Sequence, residues 1–360
     1  MSPASIVEQR KMKRALTVVS LFSGCGGMDY GAKLAGCEVV FANDISADAV
    51  ASFLRLLPDV DSVIGSCSQV KKLPKADIVC GGYPCQPFSL GGRRDPSTDT
   101  RSALYLDFVS VLNKVKPRYF VVENVPGMAS LGGGAHFRKQ LYALRRAGDG
   151  YRLTYAKLNA ADFGVPQMRS RVFIVGVRKD LEQRFVFPDA THGPTSEKSY
   201  ESAGGAISGL ESWPRGDFYE RVGGAADNFP WYYMSRNRRI SAGKPAFTIV
   251  ANWRHTPLHP ASPVMKLTWS NLADGWKQRW DFSDEYDPEL ESAGLAPLAL
   301  PRRLTWRECA ILQSFPCDFE PVGSVQKKIE QIGNAVPPLL AAKIFGALVS
   351  GSGLVPARLR

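Results

Sequence analysis

Cys85 lies in the stretch Tyr83-Pro84-Cys85-Gln86-Pro87, directly after the apolar run Ile78-Val79-Cys80 and the pair Gly81-Gly82. A thiol is the side chain most easily turned into a nucleophile near neutral pH. The run before it reads as a strand, which puts Cys85 at a strand's carboxyl end, where open α/β sheets bind ligands. The flanking prolines argue against a continuing strand and for an exposed, rigid presentation. Glu123 ends a second run, Tyr119-Phe120-Val121-Val122-Glu123-Asn124-Val125-Pro126. In a parallel sheet Glu123 shares the rim with Cys85, and a carboxyl confined beside a nucleophile can hold its proton near neutral pH. Arg169 and Arg171, in Gln167-Met168-Arg169-Ser170-Arg171, fall on one side of an extended chain, able to bond a pyrimidine carbonyl, a phosphate or Glu123. Each stretch alone has a plainer explanation: a packed cysteine, a solvated glutamate, surface cations. The combination is the signal.

A fourth stretch, Val18-Val19-Ser20-Leu21-Phe22-Ser23-Gly24-Cys25-Gly26-Gly27, is a strand entering a glycine turn and then a helix. Glycine lets the backbone approach a ligand closely and adopt positive φ. Asp44, at the end of the next apolar run, is placed to accept hydrogen bonds from ribose hydroxyls. This is a nucleotide-type cofactor geometry, although it departs from G-x-G-x-x-G and a plain tight turn has the same composition. No G-x-x-x-x-G-K-[ST] stretch is present, so the sequence gives no support to ATP hydrolysis.

The elements that must position these residues alternate. Leu16 to Phe22, Cys37 to Ala42, Asp77 to Gly81, Tyr119 to Val122, Tyr151 to Leu158 and Arg171 to Val177 read as strands. Gly26 to Ala35, Ser46 to Leu57 and Ser102 to Val115 read as helices. Such alternation predicts a mostly parallel α/β sheet, Rossmann-like, with helices on both faces. After about residue 185 the periodicity fades, and all seven tryptophans, Trp213 to Trp306, lie beyond that point. A smaller second domain, irregular and mostly β, is expected there. Thr305 to Ser314 and Pro337 to Val349 again look helical.

The 360 residues carry 45 Lys and Arg against 34 Asp and Glu, a net charge of +11, and an excess of this size favours a polyanionic partner. The seven cysteines include no C-x-x-C pair and there are only four histidines, which predicts neither a zinc site, nor any other metal, nor a disulfide framework. The basic arm Met1 to Arg14 is not followed by a secretory apolar core. No apolar run reads as long enough to span a bilayer.

Taken in order, Phe22-Ser23-Gly24-Cys25-Gly26-Gly27, Pro84-Cys85-Gln86, Glu123-Asn124-Val125 and Gln167-x-Arg169-x-Arg171 resemble the successive motifs of the cytosine-C5 DNA methyltransferase family. Arg302 to Pro316 is similar to the motif that braces that family's recognition domain, and Gln331-Ile332-Gly333-Asn334-Ala335-Val336-Pro337-Pro338 to its last cofactor motif. The resemblance covers the chain except for about 185 to 300. It implies methylation of cytosine C5 in double-stranded DNA from S-adenosylmethionine, by flipping the base and adding Cys85 to it. Phe22, Ser23, Gly24, Gly26, Gly27, Asp44, Ile45, Pro84 and Asn334 would hold the cofactor. Glu123 would meet the pyrimidine N3, Arg171 the cytosine O2 and Glu123, and Arg169 a phosphate. Where the family has an Asp after a Gly, this chain has Ser66 after Gly65, a weaker contact for adenine.

The catalytic and cofactor domain is expected over 1–185 and 328–360, and the target-recognition domain over 186–327. Gln86, Ser89, Arg93, Arg94 and Arg101, on and beside a basic, glycine-containing loop, are candidate DNA contacts. So are Arg236, Arg238, Arg239 and Arg254, together with Lys277-Gln278-Arg279. The cysteines read as reduced, in a cytoplasmic chain without a membrane; the resemblance implies a monomer on DNA, and a cognate restriction endonuclease is the expected functional partner. Two rivals share the family. A tRNA-cytosine methyltransferase typically continues its Pro-Cys with Phe-Thr, not Gln86-Pro87, and a catalytically silent DNA-binding relative would lose Cys85, Glu123 or the arginines. A nicotinamide-dependent dehydrogenase would leave Cys85 and Glu123 without a task.

Overall fold

A computed structural model describes residues 14–70, 72–84, 104–212, 229–272 and 275–357. The first half runs β1 (Thr17–Leu21), α1 (Gly27–Leu34), β2 (Glu38–Asp44), α2 (Ala47–Leu56), β3 (Asp61–Ile64), β4 (Ile78–Gly81), α3 (Leu104–Val115), β5 (Tyr119–Asn124), α4 (Gly127–Ser130), α5 (Ala135–Arg146), β6 (Tyr151–Asn159), β7 (Gln167–Met168), β8 (Ser170–Arg178) and β9 (Gln183–Phe185). The rest runs α6 (Ala203–Ile207), α7 (Trp231–Met234), β10 (Ala246–Phe247), β11 (Val264–Leu272), β12 (Gly275–Ser283), α8 (Glu289–Ser292), α9 (Trp306–Leu312), α10 (Val325–Asn334), α11 (Pro338–Ser350) and β13 (Leu354–Pro356).

Seven strands form the central sheet in the order β3-β2-β1-β4-β5-β8-β6. β1 to β5 are mutually parallel, and β8 is antiparallel to both β5 and β6. Period-2 alternation sends the strand side chains to opposite faces. Val18, Ile78, Cys80, Val121, Phe173 and Val175 enter one core with α1, α2 and α11. Val19, Leu21, Val79, Phe120, Val122 and Ile174 enter the other with α3 and α5. This is the expected α/β sheet covered on both faces. The strand order reverses between β1 and β4, so the carboxyl ends of β1, β2, β4 and β5 open one crevice. Because β8 runs the other way, its first residues, Ser170 and Arg171, reach the same edge.

A third core joins Cys25, beside α1, to Ile207, Ala246, Ile249, Leu304, Trp306, Cys309 and Ile332. Thr305 and Glu308 form a capping box at the start of α9, which satisfies two otherwise orphaned backbone donors. Arg302 grips the Glu308 carboxylate with both terminal nitrogens, at 3.0 and 2.7 Å. Burial pushes that carboxyl's pKa up, but hydrogen bonds and charge from Arg302 outweigh it and hold it below the usual range. β11 and β12 form a hairpin with nine residue pairs in register, more regular than the irregular structure expected there. Trp269 and Trp276 stand exposed on it.

By length and apolar composition the stretch Val325–Ser350 could cross a bilayer, counter to the sequence expectation. It is divided into α10 and α11 at Ala335-Val336-Pro337, and Leu340, Ile344, Phe345 and Leu348 of α11 are buried in the sheet's first core. Burial in the core accounts for its apolar character.

Candidate active site

The glycine turn after β1 holds the chain in conformations that glycine permits. Gly24 and Gly26 have φ of 55° and 87°, and Phe22 itself sits at φ 53°, uncommon for an aromatic residue. Gly24 N–H donates to Asp44 Oδ2 at 2.8 Å and Ser46 N–H to Asp44 Oδ1 at 2.9 Å. Each carboxylate oxygen thus keeps capacity to accept a further bond. A Cβ on Gly27 would collide with the Val336 carbonyl and crowd Phe315, so only glycine lets α1 start against the chain between α10 and α11. Gly27→Ala is expected to destabilise the fold by ~1–3 kcal/mol through overpacking. A thermal melt equal to that of the parent protein would contradict this.

A cavity of about 1230 Å³ opens at this rim. Phe22, Ser23, Gly24, Gly27, Asp44 and Ile45 line one part of it, and Gly82, Pro84, Glu123 and Arg171 another. Thr248 to Asn252 and Gly333 to Val336 complete the wall. Its size exceeds that of a typical single-ligand pocket.

Glu123 Oε1 accepts from Arg171 Nε at 2.8 Å, with both side chains nearly buried. The register explains the contact. Glu123 pairs with Phe173 across β5 and β8, and Arg171, two residues before Phe173, stands diagonally on the same face. Burial pushes the Glu123 pKa up, the charges of Arg171 and Arg169 pull it down, and the net shift is upward. A Cβ on Gly82 would lie 3.0 Å from Glu123 Oε2, so the glycine leaves room for the carboxyl. Asn124 Nδ2 donates to the Tyr83 carbonyl at 3.2 Å, and the Tyr83 hydroxyl donates to Gln140 Oε1 at 2.8 Å. These bonds fix the chain leading to Pro84.

Phe22, Ser23, Gly24, Gly27, Asp44, Ile45, Pro84, Glu123, Arg171 and Asn334, singled out in the sequence, therefore meet around one cavity. Gly26 caps α1 behind it, against Phe53. Ser66 is not among the lining residues, and its hydroxyl instead bonds the Ser68 hydroxyl at 2.8 Å. Arg169 departs most from expectation. It is fully buried, with its guanidinium on the carbonyls of Ile249, Gly333 and Ala335, a place closed to phosphate. The phosphate role fails because carbonyls on remote segments of the chain take up the guanidinium.

Arg239 is likewise engaged, with Asp287 at 2.6 Å and the Ser262 carbonyl at 2.7 Å. Arg238 lies 5.0 Å over the Tyr233 ring. Arg236 and Arg254 are exposed, as the DNA expectation requires of any contact residue. Lys277 and Gln278 are also exposed, on β12, where Arg279 pairs with Asp281. Cys85, Gln86, Ser89, Arg93, Arg94 and Arg101 lie outside the described residues.

The structure adds residues that the sequence reading did not select. Asp29 on α1 is fully buried at the cavity wall. Neither carboxyl oxygen has a partner in hydrogen-bonding geometry, although the Ser20 hydroxyl is near enough to ease its ionisation. Burial, opposed by Ser20, pushes its pKa up to about 7. A lone acidic residue in the first turn after the glycines was the available signal. Thr248 to Asn252 come from a region without clear periodicity and left no such signal.

Among the described cysteines, burial pushes the thiols of Cys25, Cys37 and Cys67 up to about 12, and those of Cys80 and Cys309 also move up. Such thiols are inert near neutral pH. Cys317 is exposed but does not line the cavity.

A sheet with this strand order, carrying a cofactor-type turn and a carboxyl–guanidinium pair on one rim, defines a methyltransferase-type α/β protein. The sequence profile of the family described as C-5 cytosine-specific DNA methylase matches residues 16–350. The type II methyltransferase M.BspRI of Lysinibacillus sphaericus is 34% identical, over 91% of this chain and 80% of its own length. M.BsuRI of Bacillus subtilis is 34% identical over 93% and 79%. Among solved structures, the S. pombe Dnmt2 methyltransferase superposes with a TM-score of 0.62 at 18% identity, covering 94% of this chain and 99% of that one. The Entamoeba histolytica methyltransferase EhMeth gives 0.65 at 13% identity, over 94% and 99%. The chain belongs to the C-5 cytosine-specific DNA methylase family, and is a DNA (cytosine-5)-methyltransferase.

Proposed function

We propose that this enzyme takes a flipped cytosine into the cavity beside Glu123 and Arg171, adds Cys85 to it, and methylates it with S-adenosylmethionine held by the glycine turn. The observation that carries this reading is that the Glu123–Arg171 pair and the Phe22–Asp44 turn line one cavity.

The residues present fit the cofactor. The orphaned Asp29 carboxyl calls for a cation, which the ammonium of the methionine portion offers. Asp44 has acceptor capacity for ribose hydroxyls, and Phe22 and Ile45 offer apolar surface to the adenine. Asn334 closes the same end. When bound, S-adenosylmethionine supplies the methyl group as an electrophile.

Cytosine C5 is a poor nucleophile. Addition of the Cys85 thiolate to C6 makes the ring an enamine, with its electron density at C5. Glu123, holding a proton toward N3, favours that addition. Arg171 orients Glu123 and is available to the O2 carbonyl. After methylation the C5 proton leaves, and expulsion of Cys85 restores the aromatic ring. Two observations support Cys85 as the nucleophile: Pro84, to which it is bonded, lines the cavity, and the buried thiols of the described chain have their pKa values pushed up. A stacked base is out of reach of such a cavity, so extrusion is required, at a few kcal/mol.

Residues 186–327 would read the target sequence, with Arg236 and Arg254 among the contacts, and 1–185 with 328–360 would carry the chemistry. The exposed position of those two arginines and the net charge of +11 support double-stranded DNA as the partner. Type II naming of the relatives supports a cognate restriction endonuclease as functional partner; a monomer acting on DNA in the cytoplasm completes the proposed reading.

Incubation of a random-sequence duplex library with the enzyme and S-adenosylmethionine, followed by bisulfite sequencing, is expected to show C5 methylation in one sequence context. A library without protected cytosines would refute the proposal. Asp44→Ala is expected to weaken S-adenosylhomocysteine binding ~10-fold, from loss of charge-assisted bonds of about 1.5 kcal/mol. Unchanged affinity by calorimetry would remove Asp44 from the cofactor site.

A further inference from the structure

Two walls of the cavity come from distant parts of the chain and are tied together by a buried polar knot centred on Arg169. Its Nη1 donates to the Ile249 carbonyl at 2.9 Å, and its Nη2 to the carbonyls of Gly333 at 2.8 Å and Ala335 at 2.9 Å. All three acceptors belong to residues that line the cavity. Gln313 adds bonds from Nε2 to the Ala335 and Ile332 carbonyls, at 2.7 and 3.2 Å. Its Oε1 accepts from Gln167 Nε2, and Gln167 Oε1 in turn accepts from Ile249 N–H at 3.0 Å. Arg169, Gln167 and Gln313 are all fully buried. A second observation is independent of side chains. A Cβ on Gly333 would overlap the backbone of Val250 and Ala251, so the walls touch backbone to backbone.

A buried guanidinium spent on carbonyls costs desolvation that an apolar core would avoid. Its geometric consequence is that the segment ending in Asn334–Val336 cannot shift without moving Ile249, or without breaking charge-assisted bonds. Arg169 also directly precedes Ser170-Arg171, the start of the strand that presents Arg171 to Glu123. The knot therefore links Gly333–Val336, which carry Asn334 of the proposed cofactor site, to Thr248–Asn252, which belong to the proposed recognition region, and through Ser170 to the Glu123–Arg171 pair.

We infer that Arg169 is a positioning residue through which occupancy of the cofactor end and engagement of DNA favour one another. This rests on the proposed cofactor and DNA sites. A ligand that orders one wall then lowers what the other ligand must spend on ordering the second, and by linkage the effect is reciprocal.

The test is calorimetric titration of S-adenosylhomocysteine into the full-length enzyme, with and without a duplex that the wild-type enzyme methylates. In the wild type the duplex is expected to tighten S-adenosylhomocysteine at least ~5-fold, and S-adenosylhomocysteine to tighten the duplex by the same factor. Arg169→Lys keeps the charge but loses the fork, and Gln313→Ala leaves Arg169 in place; each is expected to bring that factor toward one. A purely structural role would lower the melting temperature and both affinities but leave their ratio unchanged. A wild-type factor within ~2-fold of one, or a wild-type factor retained in a folded variant, overturns the inference. If both ligands bind the wild type without coupling, the methyl-transfer reading stands and only this inference falls. If S-adenosylhomocysteine does not bind at all, both fall.

Discussion

Cys85→Ser is expected to lower methyl transfer by at least ~10³-fold while leaving duplex binding within a few-fold of the parent enzyme. A serine hydroxyl is smaller and far less acidic than a thiol. Glu123, the carboxyl proposed beside it, is a poor base for that hydroxyl, being paired with Arg171 and pushed by burial toward its protonated form. In the proposed reading DNA affinity comes from phosphate and base contacts and does not require a covalent bond. Transfer of tritiated methyl groups measures the first quantity and a gel-shift titration the second. A duplex with 5-fluorocytosine at the target position adds a direct readout. Fluorine cannot leave as the C5 proton does, so the wild-type enzyme is expected to remain joined to this DNA under denaturing conditions, and the serine variant is not. An adduct formed by Cys85→Ser, or turnover near the parent rate, would assign the nucleophile to another residue.

The parts of the site that were legible in the sequence lie close to strand ends. Buried runs such as Val18 to Leu21 and Tyr119 to Val122 are apolar because both faces of the strand are covered, and a polar residue directly after such a run must fall on the rim. That reasoning places Asp44 and Glu123 and, with the antiparallel β8, Arg171. It does not extend to residues whose partners are remote. Arg169 looked like the twin of Arg171, yet its partners lie 80 to 166 positions away along the chain. Arg239 reads in the sequence as a candidate DNA contact, but Asp287, 48 positions on, accepts a hydrogen bond from its guanidinium. The hairpin β11–β12 was missed for a different reason. Its strands alternate apolar and polar residues, as in Met265-Lys266-Leu267-Thr268-Trp269-Ser270, but Leu267, Trp269 and Trp276 stay exposed, so the run lacks the fully buried face that marks the sheet strands.

Asp29 shows how a sequence position and a chemical position can differ. In the sequence it is one acidic residue in a helix's first turn, where a negative charge is favourable anyway. In the fold, α1 lies against the sheet, so the carboxyl is buried at the cavity wall beside Ser20 and its pKa moves up to about 7. The helix dipole alone would push it the other way. The upward direction therefore reports the burial, and burial is a property of the assembled layers rather than of the local sequence.

Glu123→Gln is expected to reduce kcat by about 10²–10⁴, the usual worth of a positioned general acid. The amide keeps the shape and can still accept from Arg171, but it cannot deliver a proton to the pyrimidine N3. The pH dependence separates this role from simple positioning. Burial raises the Glu123 pKa above the ordinary value of 4.5 despite Arg171 and Arg169. Below its folded pKa the carboxyl is protonated and competent, so wild-type activity is expected to fall as pH rises through that value. The glutamine variant should lack this limb, because its amide does not ionise. Stability follows the same sign. A folded pKa above the unfolded one favours the fold fully below 4.5, and that contribution is lost as pH rises through the folded value. Denaturant unfolding of both proteins from pH 4.5 upward should then show the variant gaining on the wild type as pH increases. A stability difference that does not change with pH, together with a rate profile shared by the two proteins, would mean that Glu123 stays ionised throughout and acts only through its bond to Arg171.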